Sequence, residues 1–298
     1  MAMHIGHVAI QVSDLERSVD HAIEVLGLTE TERGNGQSFL TANAKRYELQ
    51  FIESAEVGLS HVGLELEDES EIAALRDRVI AHGGQMISEV PRETGIESAI
   101  RFVGPGGIVF EAYARMTREP LSLENTFAPL ARRLGHLTFT MADKAEFEEF
   151  LVGALGFRVS DRWGEQITWL RCDVDHHGLA VAQSSSGARL HHYAYELAGW
   201  DAMRQYADHL AVRGHKLVWG PGRHGPGANI FAYLLDPAGL IVETYCDMLR
   251  IVDDAAYTPM SWKGEPWEMN LWGHLEPDNW GELGIPVLTP NKRSASAH

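Results

Sequence analysis

The chain has 298 residues, 45% hydrophobic and 22% charged, the make-up of a folded protein long enough for two ordinary domains. Its 42 acidic residues outnumber 25 basic ones, and the net charge of −17 argues against nucleic acid and anionic membranes as partners, since both select cationic surfaces. No apolar run approaches the roughly 20 residues of a membrane span, the N-terminus shows no signal-peptide pattern, and two cysteines form no disulfide framework.

From the N-terminus, HIGHVAIQ (residues 4–11) places His7 in a strand-like word, and Ser13-Asp14 then starts a helix that closes on EVLGL. GLSHVGLEL predicts a further strand around His61. A helix over 69–82 ends at Gly83, and GPGGIVFEAYA delivers Glu111. The stretch Met116–Arg132, with Pro120 and Pro129, has little periodicity and reads as a linker.

After it the same words return. RLGHLTFT (133–140) places His136, Ala142-Asp143 starts a helix that closes on GALGF, and RLHHYAYEL carries His192. A helix over 200–213 stops at Gly214, the loop GPGRHGPG carries His224, and DPAGLIVETYC delivers Glu243. His7 and His136 lie 129 residues apart, His61 and His192 131, Glu111 and Glu243 132. Offsets that constant mean a duplicated domain. Within each half a weaker repetition predicts four βαβββ modules, paired into two α+β domains. The expected segments are 1–116, 117–132 (linker), 133–248, 249–290 and 291–298. The fourth holds Trp262, Trp267, Trp272 and Trp280 and needs a surface to lie on, as a strap or as a lid, the strap being preferred. The last is expected to be disordered.

Glu243 follows three apolar residues, so it belongs at the end of a buried strand, where a carboxylate needs a partner. With His136 and His192, each also expected at a strand end, it matches the 2-His-1-carboxylate set that holds non-haem Fe(II) with open coordination positions. Cys172 and Cys246 are expected to be structural thiols in a cytoplasmic protein.

The words LGHLTF, VDHHGLAVA, RLHHYAYEL, GPGRHGPGANIFAYLLDPAG and IVETY, with the NLWG of the tail, resemble the type I extradiol ring-cleaving dioxygenases of the vicinal-oxygen-chelate superfamily. That resemblance covers nearly the whole chain. It implies two tandem vicinal-oxygen-chelate domains, Fe(II) in preference to Mn(II) on His136, His192 and Glu243, and a catechol cleaved by O2 beside its diol. It also implies an acid–base role for His177, hydrogen bonds to substrate from Tyr233 and His224, and a homo-oligomer. The adjacent His176 and His191 leave both histidine registers open by one. Thr138 stands where some relatives have Asn, and Trp219 where relatives for acid-bearing catechols carry Arg. With Trp169 as a second aromatic wall, these departures favour a neutral, alkyl- or aryl-substituted catechol.

The first half keeps His7, His61 and Glu111. The positions matching His177, His224 and Tyr233 by spacing are Arg46, Arg92 and Arg101. Three guanidiniums repel a dication, so a vestigial site is expected, with Arg46 and Arg101 available to pair with Glu111. Two rival readings keep the fold: a non-redox glyoxalase-like lyase or epimerase, and a metal-free small-molecule-binding protein. The first normally uses a second carboxylate, absent at the His192 position; the second has no need of His177, Tyr233 and His224.

Overall fold

The computed structural model describes residues 3–120 and 131–289. The first half runs β1 (Met3–Val12), α1 (Leu15–Leu26), β2 (Thr29–Gly34), β3 (Gln37–Thr41), β4 (Leu49–Glu53), then β5 (Gly58–Leu66), α2 (Glu71–Ala81), β6 (Gln85–Ser88), β7 (Ile96–Val103) and β8 (Val109–Met116). The second runs β9 (Arg133–Met141), α3 (Lys144–Gly153), β10 (Arg158–Trp163), β11 (Ile167–Arg171), β12 (Leu179–Gln183), then β13 (Arg189–Glu196), α4 (Trp200–Val212), β14 (Trp219–Arg223), β15 (Ile230–Leu235) and β16 (Ile241–Cys246). These are four βαβββ modules.

The two sheets have the same order. One is β6-β7-β8-β5-β1-β4-β3-β2 and the other β14-β15-β16-β13-β9-β12-β11-β10, so every strand has its counterpart eight places on. In each module the first strand pairs in parallel with the last, and the two first strands of a domain meet antiparallel. A parallel pair cannot be joined by a tight turn, and the helix and two strands between them supply the crossover.

Local chemistry sets the helix ends. Asp14 and Asp143 each accept a hydrogen bond from the backbone three residues on, capping α1 and α3. Gly27 ends α1 with a left-handed φ of 67°, which costs a residue without Cβ nothing. The halves share one apolar core, in which Phe147 and Phe150 of α3 pack on Phe102 and Phe110 of β7 and β8. Cys172 and Cys246 are buried, unpaired thiols, both pushed up by burial and so unreactive. No helix among the described residues is long and apolar enough to cross a membrane.

The C-terminal stretch does more than cover a surface. Its strand β17 (Met260–Trp262) extends the second sheet at β10, and β18 (Ile285–Pro286) pairs with β13. Of the four tail tryptophans only Trp280 is buried; Trp267 and Trp272 are half-exposed, so they are not the apolar cover the sequence suggests. The residues predicted as a disordered end, 291–298, and most of the linker, 121–130, lie outside the described residues.

Candidate active site and metal centre

One face of the second sheet gathers the candidate residues in two rows. Tyr233, Glu243, Ala194 and His136 stand side by side on β15, β16, β13 and β9. Trp169, Ala180, Thr138 and His192 do so on β11, β12, β9 and β13. The rows are two residues apart on both β9 and β13, and period-2 alternation puts them on the same face. Every strand from β9 to β16 contributes a side chain to a single cavity of about 230 Å³, so the sheet curls around it. The three ligand candidates lie inside their strands. The strand-end placement is corrected, because β16 continues for three apolar or neutral residues beyond Glu243.

Nε2 of His136 lies 2.9 Å, and Nε2 of His192 3.2 Å, from Oε2 of Glu243. All three residues are buried, with their ligand atoms within 4.8 Å of one another. Among the described residues the polar partners of Glu243 are these imidazoles, Asn229 and Tyr233, and none is a Lys or Arg. Burial works to raise its carboxyl, and the facing imidazoles more than offset this, holding it well below the usual carboxylate range. An anion so placed needs positive charge at the point where the three donors converge, and a divalent metal fits it.

The motif glycine before each histidine has a packing reason. A Cβ on Gly135 would stand 1.8 Å from the Tyr245 hydroxyl, and one on Gly6 2.2 Å from that of Tyr113. Tyr245 in turn lies against the His136 ring, at 4.9 Å between centroids.

Both adjacent histidine pairs work as units. His191 Nε2 is 2.8 Å from the carbonyl of Trp280, and its Nδ1 is 2.7 Å from Nδ1 of His192. A carbonyl only accepts, so His191 carries its hydrogen on Nε2. Burial pushes its pKa to about 3, so the ring is neutral and its Nδ1 accepts from His192. His192 is thereby left with a bare Nε2 toward Glu243, the state a metal ligand requires. Behind the other pair, His176 is fully buried and absent from the cavity lining, whereas His177 lines it and lies 4.4 Å from the His136 ring. Burial lowers the His177 pKa well below its ordinary value, with His136 and His176 adding to the effect, so its imidazole is neutral.

Tyr233 and His224 meet at 3.0 Å between hydroxyl and Nε2, while His224 Nδ1 lies 2.5 Å from the carbonyl of Met269. Burial pushes His224 down to about 4, and the Tyr233 phenol well up. His224 therefore donates to Met269 and accepts from the Tyr233 hydroxyl. Trp219 stacks on Tyr233 at 11°, His224 lies on Phe231, and Thr138, Trp169 and Trp219 all face the cavity. Met269, Glu276, Trp280 and Gly281 of the tail complete the wall. Nothing in the sequence near the ligands marks these tail residues; the NLWG word and the tryptophan density were the only signals.

The first sheet carries the counterpart triad His7, His61 and Glu111, with ligand atoms also within 4.8 Å. Two of the three expected arginines are elsewhere. The step from the His177 counterpart to β5 is one residue shorter than in the second half. Leu49 sits opposite Val8 as Leu179 sits opposite Leu137, so Tyr47, not Arg46, matches His177. The Tyr47 ring lies 4.9 Å from His7, and Arg46 turns to Glu32 at 2.5 Å instead of pairing with Glu111. Arg92 is exposed, and its neighbour Glu93 reaches Arg101 at 2.7 Å. Only Arg101 enters, opposite Glu111 as Tyr233 stands opposite Glu243.

The family model described as Glyoxalase/Bleomycin resistance protein/Dioxygenase superfamily matches residues 4–112 and 133–244. The chain is 28% identical over 300 residues to metapyrocatechase 2 of Cupriavidus necator, covering 93% of this chain and 91% of that protein. To the manganese-dependent 2,3-dihydroxybiphenyl 1,2-dioxygenase of Geobacillus genomosp. 3 it is 26% identical over 287 residues, covering 87% and 89%. The Mn(II)-bound glyoxalase of Novosphingobium aromaticivorans superposes with a TM-score of 0.89 over 98% of this chain and 99% of that one, at 24% identity, a likeness of fold.

Proposed function

The chain belongs to the Glyoxalase/Bleomycin resistance protein/Dioxygenase superfamily, and within it we propose that the chain is an extradiol dioxygenase holding one divalent metal, iron(II), on His136, His192 and Glu243. The observation that carries this is the buried Glu243 carboxylate, which has two convergent imidazoles beside it and, among the described residues, no Lys or Arg. Relatives named as metapyrocatechase and as a dihydroxybiphenyl dioxygenase support ring cleavage as the reaction. The manganese in the name of one of them keeps Mn(II) as the metal to test beside iron.

The chemistry that a bound metal supplies here is a Lewis-acidic seat for the two catechol oxygens, which lowers their pKa, together with activation of O2. His177, neutral and in the cavity wall, takes a catechol proton and returns it as the ring carbon–carbon bond beside the diol opens. Both oxygen atoms enter the product, a hydroxymuconic semialdehyde or its ketone analogue. Tyr233, held protonated by burial, donates to His224 before substrate binds and turns that one hydrogen toward oxygen that gains negative charge. Trp169, Trp219 and Trp280 keep water from the space the ring occupies.

Among the described residues the lining has no Lys or Arg, and it adds the Glu276 carboxylate. That favours a neutral ring substituent and disfavours a carboxylated one. At about 230 Å³ the cavity is small beside the ~300–1,000 Å³ of drug-sized sites, which suits one substituted ring.

The test is O2 uptake and formation of a yellow product with catechol, 3-methylcatechol, 2,3-dihydroxybiphenyl and 3,4-dihydroxybenzoate, after anaerobic loading with Fe(II) or Mn(II). Cleavage of the neutral catechols with little turnover of the acid is expected. No uptake with any catechol and either metal sinks the reading.

A further inference from the structure

Two of the site's histidines, His192 and His177, each have a second histidine behind them, and each second histidine ends on an oxygen that only accepts. For His192 the chain is His191 and the Trp280 carbonyl. For His177 it is His176, 3.1 Å away between Nδ1 atoms, and then Asp161, whose Oδ2 lies 3.2 Å from His176 Nε2. We propose that Asp161, acting through His176, is a positioning residue that fixes the hydrogen of His177 on Nδ1 and so leaves Nε2 bare to receive the substrate proton.

Asp161 is built to hold one orientation. It is buried on β10, and Oδ1 accepts from the Tyr257 hydroxyl at 3.0 Å and the Met260 amide at 2.8 Å. Oδ2 accepts from Trp262 Nε1 at 2.9 Å, on the side that faces His176. All three donors belong to the C-terminal segment, two of them on β17, which pairs with β10. Burial alone would raise this carboxyl, and the His176 ring 3.2 Å away together with the hydrogen bonds from Trp262 and Met260 holds it below the usual range.

His176 is equally confined. Its backbone amide bonds to the Leu249 carbonyl at 2.8 Å, and the backbone at Gly227 approaches so closely that a Cβ there would meet the ring at 3.0 Å. With a carboxylate 3.2 Å from Nε2, the imidazole keeps its hydrogen there and offers the Nδ1 lone pair to His177. Reversal of His176 would place a hydrogen between the two Nδ1 atoms. His177 would then carry its own hydrogen on Nε2, where the substrate proton has to go.

The inference rests on the dioxygenase reading only for the destination of the proton, and tautomers can be measured without turnover. In ¹⁵N-histidine-labelled chain loaded with Zn(II), nitrogen shifts should show His177 hydrogenated at Nδ1. Asp161→Asn keeps the shape and the Oδ1 acceptor but turns an amide N–H toward His176, and should move the His177 hydrogen to Nε2. Trp262→Phe loosens the same tail contact yet leaves the carboxylate facing His176, and should leave the His177 tautomer in place. In the Fe(II)-loaded enzyme, Asp161→Asn should lower kcat by about 10²-fold, the size of a lost acid–base contribution, with KM within a few-fold. In a His176→Leu background it should change kcat less than about threefold, because residues acting along one chain are not additive. A parent His177 hydrogenated at Nε2, a Trp262→Phe shift equal to that of Asp161→Asn, or equal losses in both backgrounds would overturn the proposal. A parent that cleaves no catechol counts against the dioxygenase reading alone.

Discussion

Arg101 Nη2 lies 3.0 Å from Glu111 Oε1, in the place that Tyr233 holds beside Glu243 in the second half. The same guanidinium reaches Glu93 at 2.7 Å and stands 3.5 Å from His61 Nε2. The first triad thus carries its own fixed cation, which keeps its charge at any working pH. Metal analysis of Fe(II)-loaded chain should give one metal per chain and, for His136→Ala, none. Arg101→Ala leaves Glu111 buried and unpaired, so the metal-free variant should lose about 3–5 kcal/mol. Added divalent metal should recover part of that loss in thermal melts. Two metals in the parent would show that the first triad binds metal beside its arginine.

His177→Phe should retain one metal and bind catechol while kcat falls ~10²–10⁴-fold, the range for a missing acid–base group. Stopped-flow binding and single-turnover rates separate the two effects. An unchanged rate would remove His177 from the proton path.

Gly135→Ala drives a methyl into the Tyr245 hydroxyl, and overpacking of this kind typically costs 1–3 kcal/mol. Among the described residues that hydroxyl has no hydrogen-bond partner, so Tyr245→Phe should be close to neutral. Combined, the two changes should cost less than their sum, as read from urea midpoints. Strict additivity would show that the hydroxyl is not the obstacle.

Acid should destabilise the fold. Burial lowers His21 and His224 to about 4 and His191 to about 3, and puts His7, His61 and His177 well below 6.5. Below pH 6.5 the unfolded chain binds protons that these folded rings refuse, so stability falls from pH 6.5 to about 4. Three buried carboxyls oppose this, Glu48 being raised by burial as well. Glu111 and Asp236 are raised to about 6, bind protons more readily when folded, and stabilise as pH drops through 6. Seven rings, with His192 lowered as well, against three carboxyls leave a net loss. Urea midpoints of metal-free chain should be lower at pH 5 than at pH 6.5, with Glu111→Gln steepening the decline; a higher midpoint at pH 5 would refute this balance.

The duplication, the four modules and the residue types of both triads were legible in the sequence, because strand and helix words repeat at nearly constant spacing and each module folds on local periodicity. Only the tertiary structure decided which ring of each histidine pair stands among the site's ligands, His192 against Glu243 and His177 against His136, with His191 and His176 held behind them. It also replaced Arg46 with Tyr47, through a loop one residue shorter than its counterpart. The partners behind the site came from farthest away. Asp161, Met269 and Trp280 reach His176, His224 and His191 because the sheet curls and the C-terminal segment crosses its open edge, bringing distant backbone carbonyls and one carboxylate within hydrogen-bond range. Contacts of that kind depend on where strands meet in space, which residue spacing along the chain does not encode.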